Sequence, residues 1–107
     1  MSVLMEFAMF PTSDECREGS SVSKQVSKII DMIDKSGYNY KLTPMGTIVE
    51  TEKIKDALKL VEDAYEVLED CDRVYSVVKF DIRKSKKNRM TQKINSVEKE
   101  LGYEVKS

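Results

Sequence analysis

The chain reads as an α+β domain in which two helices lie on one face of a four-stranded antiparallel sheet. Three observations point there. The first nine-residue apolar stretch, "SVLMEFAMF", alternates over two faces that are both mostly apolar, as a central, covered strand does. Two later segments repeat apolar residues at helical spacing. Between and after them lie alternating segments with turn residues between two of them.

The elements follow in order. Over residues 2–10, Val3, Met5, Phe7 and Met9 line one strand face, and Leu4, Glu6, Ala8 and Phe10 the other. The polar loop "PTSDECREGS" follows. Val22, Val26, Ile29, Ile30 and Ile33 then form one helical stripe. Ser20 or Ser21 can cap its start, and Gly37 ends it by taking the left-handed conformation. "YKLTPMGTIVE", residues 40–50, reads as a hairpin turning at Thr43-Pro44-Met45-Gly46, with proline second and glycine fourth as a type I turn favours. A second helix is expected from Thr51 or Glu52, with Ile54, Ala57, Leu58, Val61, Tyr65 and Leu68 inward. Residues 73–83 form the last strand, followed by a basic loop, Lys84 to Arg89, and a short helix near 91–101. The resulting βαββαβ order plus a C-terminal helix is the ferredoxin-like arrangement, spanning residues 1–107 as one domain, with the first and third strands central.

The helices of that order cover one sheet face. The other carries Leu4, Glu6, Ala8 and Phe10 with Tyr75, Val77, Lys79, Asp81 and Arg83. That mixture is too apolar for a plain wet face and too charged for a plain core. It fits self-association through the sheet, a small-ligand site with a few placed polar groups, or both.

Composition narrows the function classes. Eighteen basic and 19 acidic residues leave a net charge of −1, against the basic excess of dedicated nucleic-acid binders. "VVKFDIR" offers one Phe where sheet RNA binders carry several stacking aromatics. The longest apolar stretch is too short to span a bilayer and lacks the basic lead-in of a signal peptide, so a cytoplasmic location is expected. There is no histidine, no CxxC and no phosphate-binding glycine motif, so neither catalysis, a metal nor a cofactor is expected. A Cys16–Cys71 disulfide stays open as a possibility, and a reducing compartment argues against it. Glu6 and Glu50 are the odd carboxylates, since a carboxylate in an apolar strand needs a cation, hydrogen bonds or water. Glu50 reads either as a cap or ion-pair partner at a strand end, or as a recognition group for a cationic or amidine-like ligand.

Taken in order, "EFAMFP", "GSSVSKQV", "SGYNYKLTPMGTIVE" and "VVKFDIR" resemble the small thiamine-binding protein family, single-domain relatives of the YkoF-like proteins. The likeness spans residues 2–101. It implies a ferredoxin-like fold, dimers that associate to tetramers through their sheets, and binding of thiamine or its hydroxymethylpyrimidine moiety. The matching positions imply ligand contacts from Ser21, Ser23, Met45, Thr47, Glu50 and Arg83. Glu50 would accept from the exocyclic amine or pair with a protonated ring nitrogen. Met9, Tyr40 and Met45 would sandwich the ring. Two positions depart from the family pattern: Thr51 stands where members carry glycine, and Ile82 where a second acid is common. The reading is a homo-oligomeric carrier, buffer or sensor of thiamine or a related pyrimidine. The alternative is a regulatory or structural assembly module without small-molecule affinity.

Overall fold

The structure, a computed structural model, describes residues 1–107. Strand β1 (Ser2–Pro11) leads through a short 3-10 turn (Asp14–Cys16) to helix α1 (Ser23–Ser36). Strands β2 (Asn39–Thr43) and β3 (Gly46–Thr51) form the hairpin. Helix α2 (Ile54–Val67), strand β4 (Val74–Arg83) and helix α3 (Arg89–Leu101) complete the chain. The antiparallel sheet has the order β2-β3-β1-β4, so the ferredoxin-like arrangement stands, with β1 and β3 in the middle.

Strand periodicity sets the two sheet faces. Val3, Met5, Phe7 and Met9 of β1 join Val49 of β3, Ile29 and Ile33 of α1, and Ala57, Leu60, Ala64 and Leu68 of the α2 region in one core. Burying a side chain of this size contributes roughly 1.5–3 kcal/mol, so these residues dominate the stability of the two-layer half. Of the expected inward stripe of α2, Ile54, Ala57, Val61 and Leu68 pack in or against the core, while Leu58 and Tyr65 are about half exposed and Leu60 and Ala64 are buried in their place. Apolar residues lie on two adjoining helical rows here, and packing against β1 and β3 selects the row with the smaller alanines.

Local signals place the ends. Gly37 takes φ 82° and its N–H donates to the Asp34 carbonyl, closing α1. The start of α1 differs from the expected serine cap. Val22 holds the cap position, and the Ser21 hydroxyl accepts from the Ser23 N–H at 3.3 Å. The hairpin turns on Pro44 and Met45, with Thr43 opposite Gly46. The Thr43 hydroxyl donates to the Gly46 carbonyl at 2.8 Å and accepts from the Met45 N–H at 3.2 Å. A Cβ at Gly46 would stand 3.0 Å from the Phe7 carbonyl oxygen, so the close approach of β3 to β1 requires glycine. Thr51 does not start α2. It is the last residue of β3, buried, and its hydroxyl donates to the Lys53 carbonyl at 2.8 Å.

One feature completes the sequence reading and one corrects it. First, the C-terminal helix, which the sequence leaves unplaced, packs across the open sheet face. Its Met90 and Ile94 meet Leu4 and Ile48, which is why Leu4 is buried although it faces away from the core helices. Second, Cys16 and Cys71 are joined by a disulfide, with Cα atoms 5.8 Å apart. The fold brings the loop after β1 and the turn after α2 to the same end of the sheet. There the Glu15 carboxylate also accepts the Asp72 N–H at 2.8 Å, which holds its pKa below the usual value.

The bond closes a loop of 55 residues, so chain-entropy arguments give it a stabilisation of about 4 kcal/mol. Urea unfolding with and without a dithiol reductant measures this. The midpoint should fall on reduction and stay fixed in the Cys16→Ser/Cys71→Ser double variant. An equal midpoint in both conditions for the parent protein contradicts the cross-link.

Candidate functional site

The register carries the odd carboxylates to the open face. Leu4 lies opposite Glu50 on one side and Asp81 on the other, and Glu6 lies between Ile48 and Lys79. Glu6 is answered by Lys79, whose Nζ is 2.7 Å from Oε1. Asp81 pairs with Arg89 at 2.8 Å and also with Lys93. Those two cations, Lys93 foremost, hold the Asp81 carboxyl below the usual range.

Glu50 is the organising group. One carboxylate oxygen accepts from the Ser2 hydroxyl at 2.6 Å and from the Arg89 N–H at 2.7 Å. The other accepts from the Met90 N–H at 3.3 Å. Glu50 therefore caps α3 from 39 residues away, supplying acceptors to the first free N–H groups of that helix and a negative charge to its positive end. Asn88, at φ 54°, turns the chain into that position.

Beside this cap lies a groove of about 440 Å³ at the end of the sheet. Its lining includes Glu50, Glu52 and Asp56, with Tyr38, Asn39 and Lys87. Three acidic residues and one lysine along the lining favour a cationic guest. The second oxygen of Glu50 accepts a single, longer hydrogen bond, so it keeps acceptor capacity.

The six residues implied as ligand contacts fall into two groups. Glu50 and Arg83 share one end: Arg83 is opposite Ser2, whose hydroxyl bonds Glu50. Met45 and Thr47 lie at the other end, by the hairpin turn. Ser21 and Ser23 lie there too, because α1 runs from that end toward Asp34, which bonds the Tyr40 hydroxyl at 2.6 Å near the start of β2. The Ser21 and Ser23 hydroxyls are 3.2 Å apart and exposed. Thr47 is buried on the core side of the sheet, while Glu50 faces the opposite side. The expected ring sandwich does not form, since Met9 is buried in the core and Met45 is 86% exposed. Glu52, Asp56 and Tyr38 went unnoticed in the sequence because each reads as an ordinary polar or half-buried position.

Residues 5–98 match the sequence profile of the family described as thiamine-binding protein. The chain belongs to that family. A UPF0045 protein of Methanocaldococcus jannaschii is 34% identical over 96 residues, 89% of this chain and 91% of the relative. The crystal structure of that hypothetical protein superposes with a TM-score of 0.76, covering 90% of this chain and 95% of the other. A Thermotoga maritima protein, provisionally assigned to thiamine biosynthesis or salvage, shares the fold at a TM-score of 0.73 and 15% identity, over 91% of this chain and 99% of the other. The family's description is one of binding and names no reaction. No helix of this thiamine-binding family member is long and apolar enough to cross a membrane.

Glu50→Ala should lower stability by about 1–3 kcal/mol, because it strands two α3 N–H groups and the Ser2 hydroxyl. Glu50→Gln, which keeps one carbonyl acceptor, should lose about half as much on the same scale. Equilibrium urea unfolding of the two variants measures the difference. Parent-like stability of Glu50→Ala contradicts the capping role.

Proposed function

We propose that the protein is a homo-oligomeric binding protein for thiamine or its hydroxymethylpyrimidine moiety, a carrier, buffer or sensor that makes and breaks no bond. Family membership supports the ligand class. The observation that carries the location is the acidic groove of Glu50, Glu52 and Asp56 beside Tyr38. An aminopyrimidine offers an exocyclic amine and a ring nitrogen that can be protonated, both of which carboxylates accept. The thiazolium is a permanent cation, which suits an acidic wall with one aromatic ring. Arg83, next to Ser2, would close the groove's outer side toward an anionic substituent.

A second location has its own support. At the turn end, the paired hydroxyls of Ser21 and Ser23 stand at an α1 start whose cap residue, Val22, offers no side-chain acceptor and whose first turn holds no acidic residue. Ser21, Ser23, Met45 and Thr47 would there contact the ligand's hydroxymethyl or phosphate-bearing end, using the free N–H groups of the helix.

Self-association through the sheet completes the reading. β4 is a ten-residue edge strand with Tyr75, Val77, Phe80 and Ile82 exposed. A long apolar edge is a template for pairing, and the open face beside it carries Phe10 and Tyr75 in ring contact at 5.8 Å. Cytoplasmic location belongs to this proposal as well, and there the Cys16–Cys71 pair would be held reduced except under oxidising conditions.

Calorimetric titration with thiamine and with hydroxymethylpyrimidine tests the whole reading, with light scattering on the same preparation. Saturable binding of both ligands and a dimer or tetramer mass are expected. Glu52→Gln and Asp56→Asn should each weaken binding about tenfold, the equivalent of one charge-assisted hydrogen bond. Thr47→Ala and Ser21→Ala weakening it instead would move the ligand to the turn end. No heat at millimolar ligand in an intact oligomer leaves the assembly-module alternative.

A further inference from the structure

The Cys16–Cys71 bond joins two parts of the chain that hydrogen bonds also hold together. The Thr12 N–H donates to the Arg73 carbonyl at 2.8 Å, and the Arg73 N–H donates to the Ser13 hydroxyl at 3.2 Å. The Asp72 N–H donates to the Glu15 carboxylate at 2.8 Å. These contacts lie just before Cys16 and just after Cys71, and none of them needs the bond. They keep the two sulfur atoms near each other when it is open, so closing it is an intramolecular step between groups already in place.

Beyond Cys16 the anchoring changes. Cys16 packs against the core and Cys71 belongs to it. Residues 18–21 are exposed, and Arg17 and Val22 are half-buried. The hydrogen bonds and ion pairs of residues 17–22 reach only the preceding turn, each other and the first turn of α1. The Gln25 side-chain amide donates to the Cys16 carbonyl at 2.8 Å, which passes the position of Cys16 on to that first turn. The covalent tie to Cys71 is thus the strongest restraint on where the α1 entry lies. A segment with few buried contacts and exposed hydrogen bonds opens locally at low cost.

We propose that Cys16 and Cys71 form a reversible redox latch. A low-molecular-weight disulfide closes it, a thiol opens it, and its state sets the order of residues 17–25, the α1 entry that carries Ser21 and Ser23. The latch goes beyond the binding reading above and stands whichever end of the sheet a ligand occupies. Cys16 is half-buried and Cys71 is buried, so the small disulfide meets Cys16 first. The Cys16 thiolate attacks one of its sulfurs, forming a mixed disulfide and releasing one small thiolate. The Cys71 thiolate then attacks the Cys16 sulfur and releases the second. Two protein thiols are oxidised, the small disulfide is reduced to two thiols, and the two protein protons end on them. A reducing compartment holds the latch open, and an oxidising shift closes it.

The test equilibrates the full chain in glutathione buffers of rising disulfide fraction, starting from the reduced and from the oxidised protein. Thiol alkylation read by mass spectrometry should give the same mixture from either start, with the closed form passing from minor to dominant across the series. Amide hydrogen exchange, labelled for seconds to minutes, should run at least about fivefold faster over residues 17–26 in the open form. Residues 3–9 of β1 should stay protected in both forms. Cys16→Ser, which leaves the buried Cys71 in place, should exchange over residues 17–26 like the open form in either buffer. A bond that reduced glutathione never opens, or that glutathione disulfide never closes, would overturn the proposal. So would equal exchange of residues 17–26 in the two forms, β1 protection lost together with theirs, or a Cys16→Ser variant that exchanges like the closed form.

Discussion

The Glu50 carboxylate is the constraint on which the functional half of this molecule depends. Its hydrogen bonds to Ser2, Arg89 and Met90 join a central strand, the chain start and the last helix at one point. Without an acceptor there, the first turn of α3 would carry free N–H groups near a sheet face, an arrangement folded proteins avoid. With it, α3 has one place to lie. That placement creates two grooves of opposite character on either side of the cap: acidic toward Tyr38 and Asp56, basic toward Lys41 and Lys93. A single carboxylate thus works as a structural cap and as one wall of a candidate site. The two roles are compatible because its second oxygen retains acceptor capacity.

The two halves of the structure have different sources of stability. The α1, α2 and sheet layer rests on a contiguous apolar core running from Val3 to Leu68. The α3 half buries little beyond Leu4 and is held by charge: Glu50 at its start, and Asp81 to Arg89 and Lys93 along its first turns. Interactions of the second kind are individually small at exposed positions and are screened by salt. The α3 region is therefore the part of the fold whose position responds most readily to a ligand or a partner surface.

Much of the fold was legible because its signals are local. The two-sided apolar pattern of residues 3–10 placed β1 centrally, Gly37 ended α1, and Pro44 with Gly46 fixed the hairpin. The misplaced features are non-local. Within the α2 stripe Leu58 was taken for inward and Leu60 passed over because both fit helical spacing, and only contact with the sheet distinguishes them. The start of α3 was set two residues late because its cap is Glu50 and not a neighbouring serine. The Cys16–Cys71 bond was judged from compartment, while what decides it is a loop and a turn meeting 55 residues apart. For the site, Glu50 stood out as a carboxylate in an apolar strand. Glu52, Asp56 and Tyr38 did not, since a groove charge becomes meaningful only once the elements around it are assembled.

The most direct test of the account is to map where thiamine touches the protein, by backbone amide chemical shifts recorded during a thiamine titration. The account predicts that Tyr38, Asn39, Thr51, Glu52 and Lys87 shift together and saturate with a single affinity. Shifts confined to Ser21–Lys24 and Met45–Thr47, with the Glu50 groove silent, would contradict it.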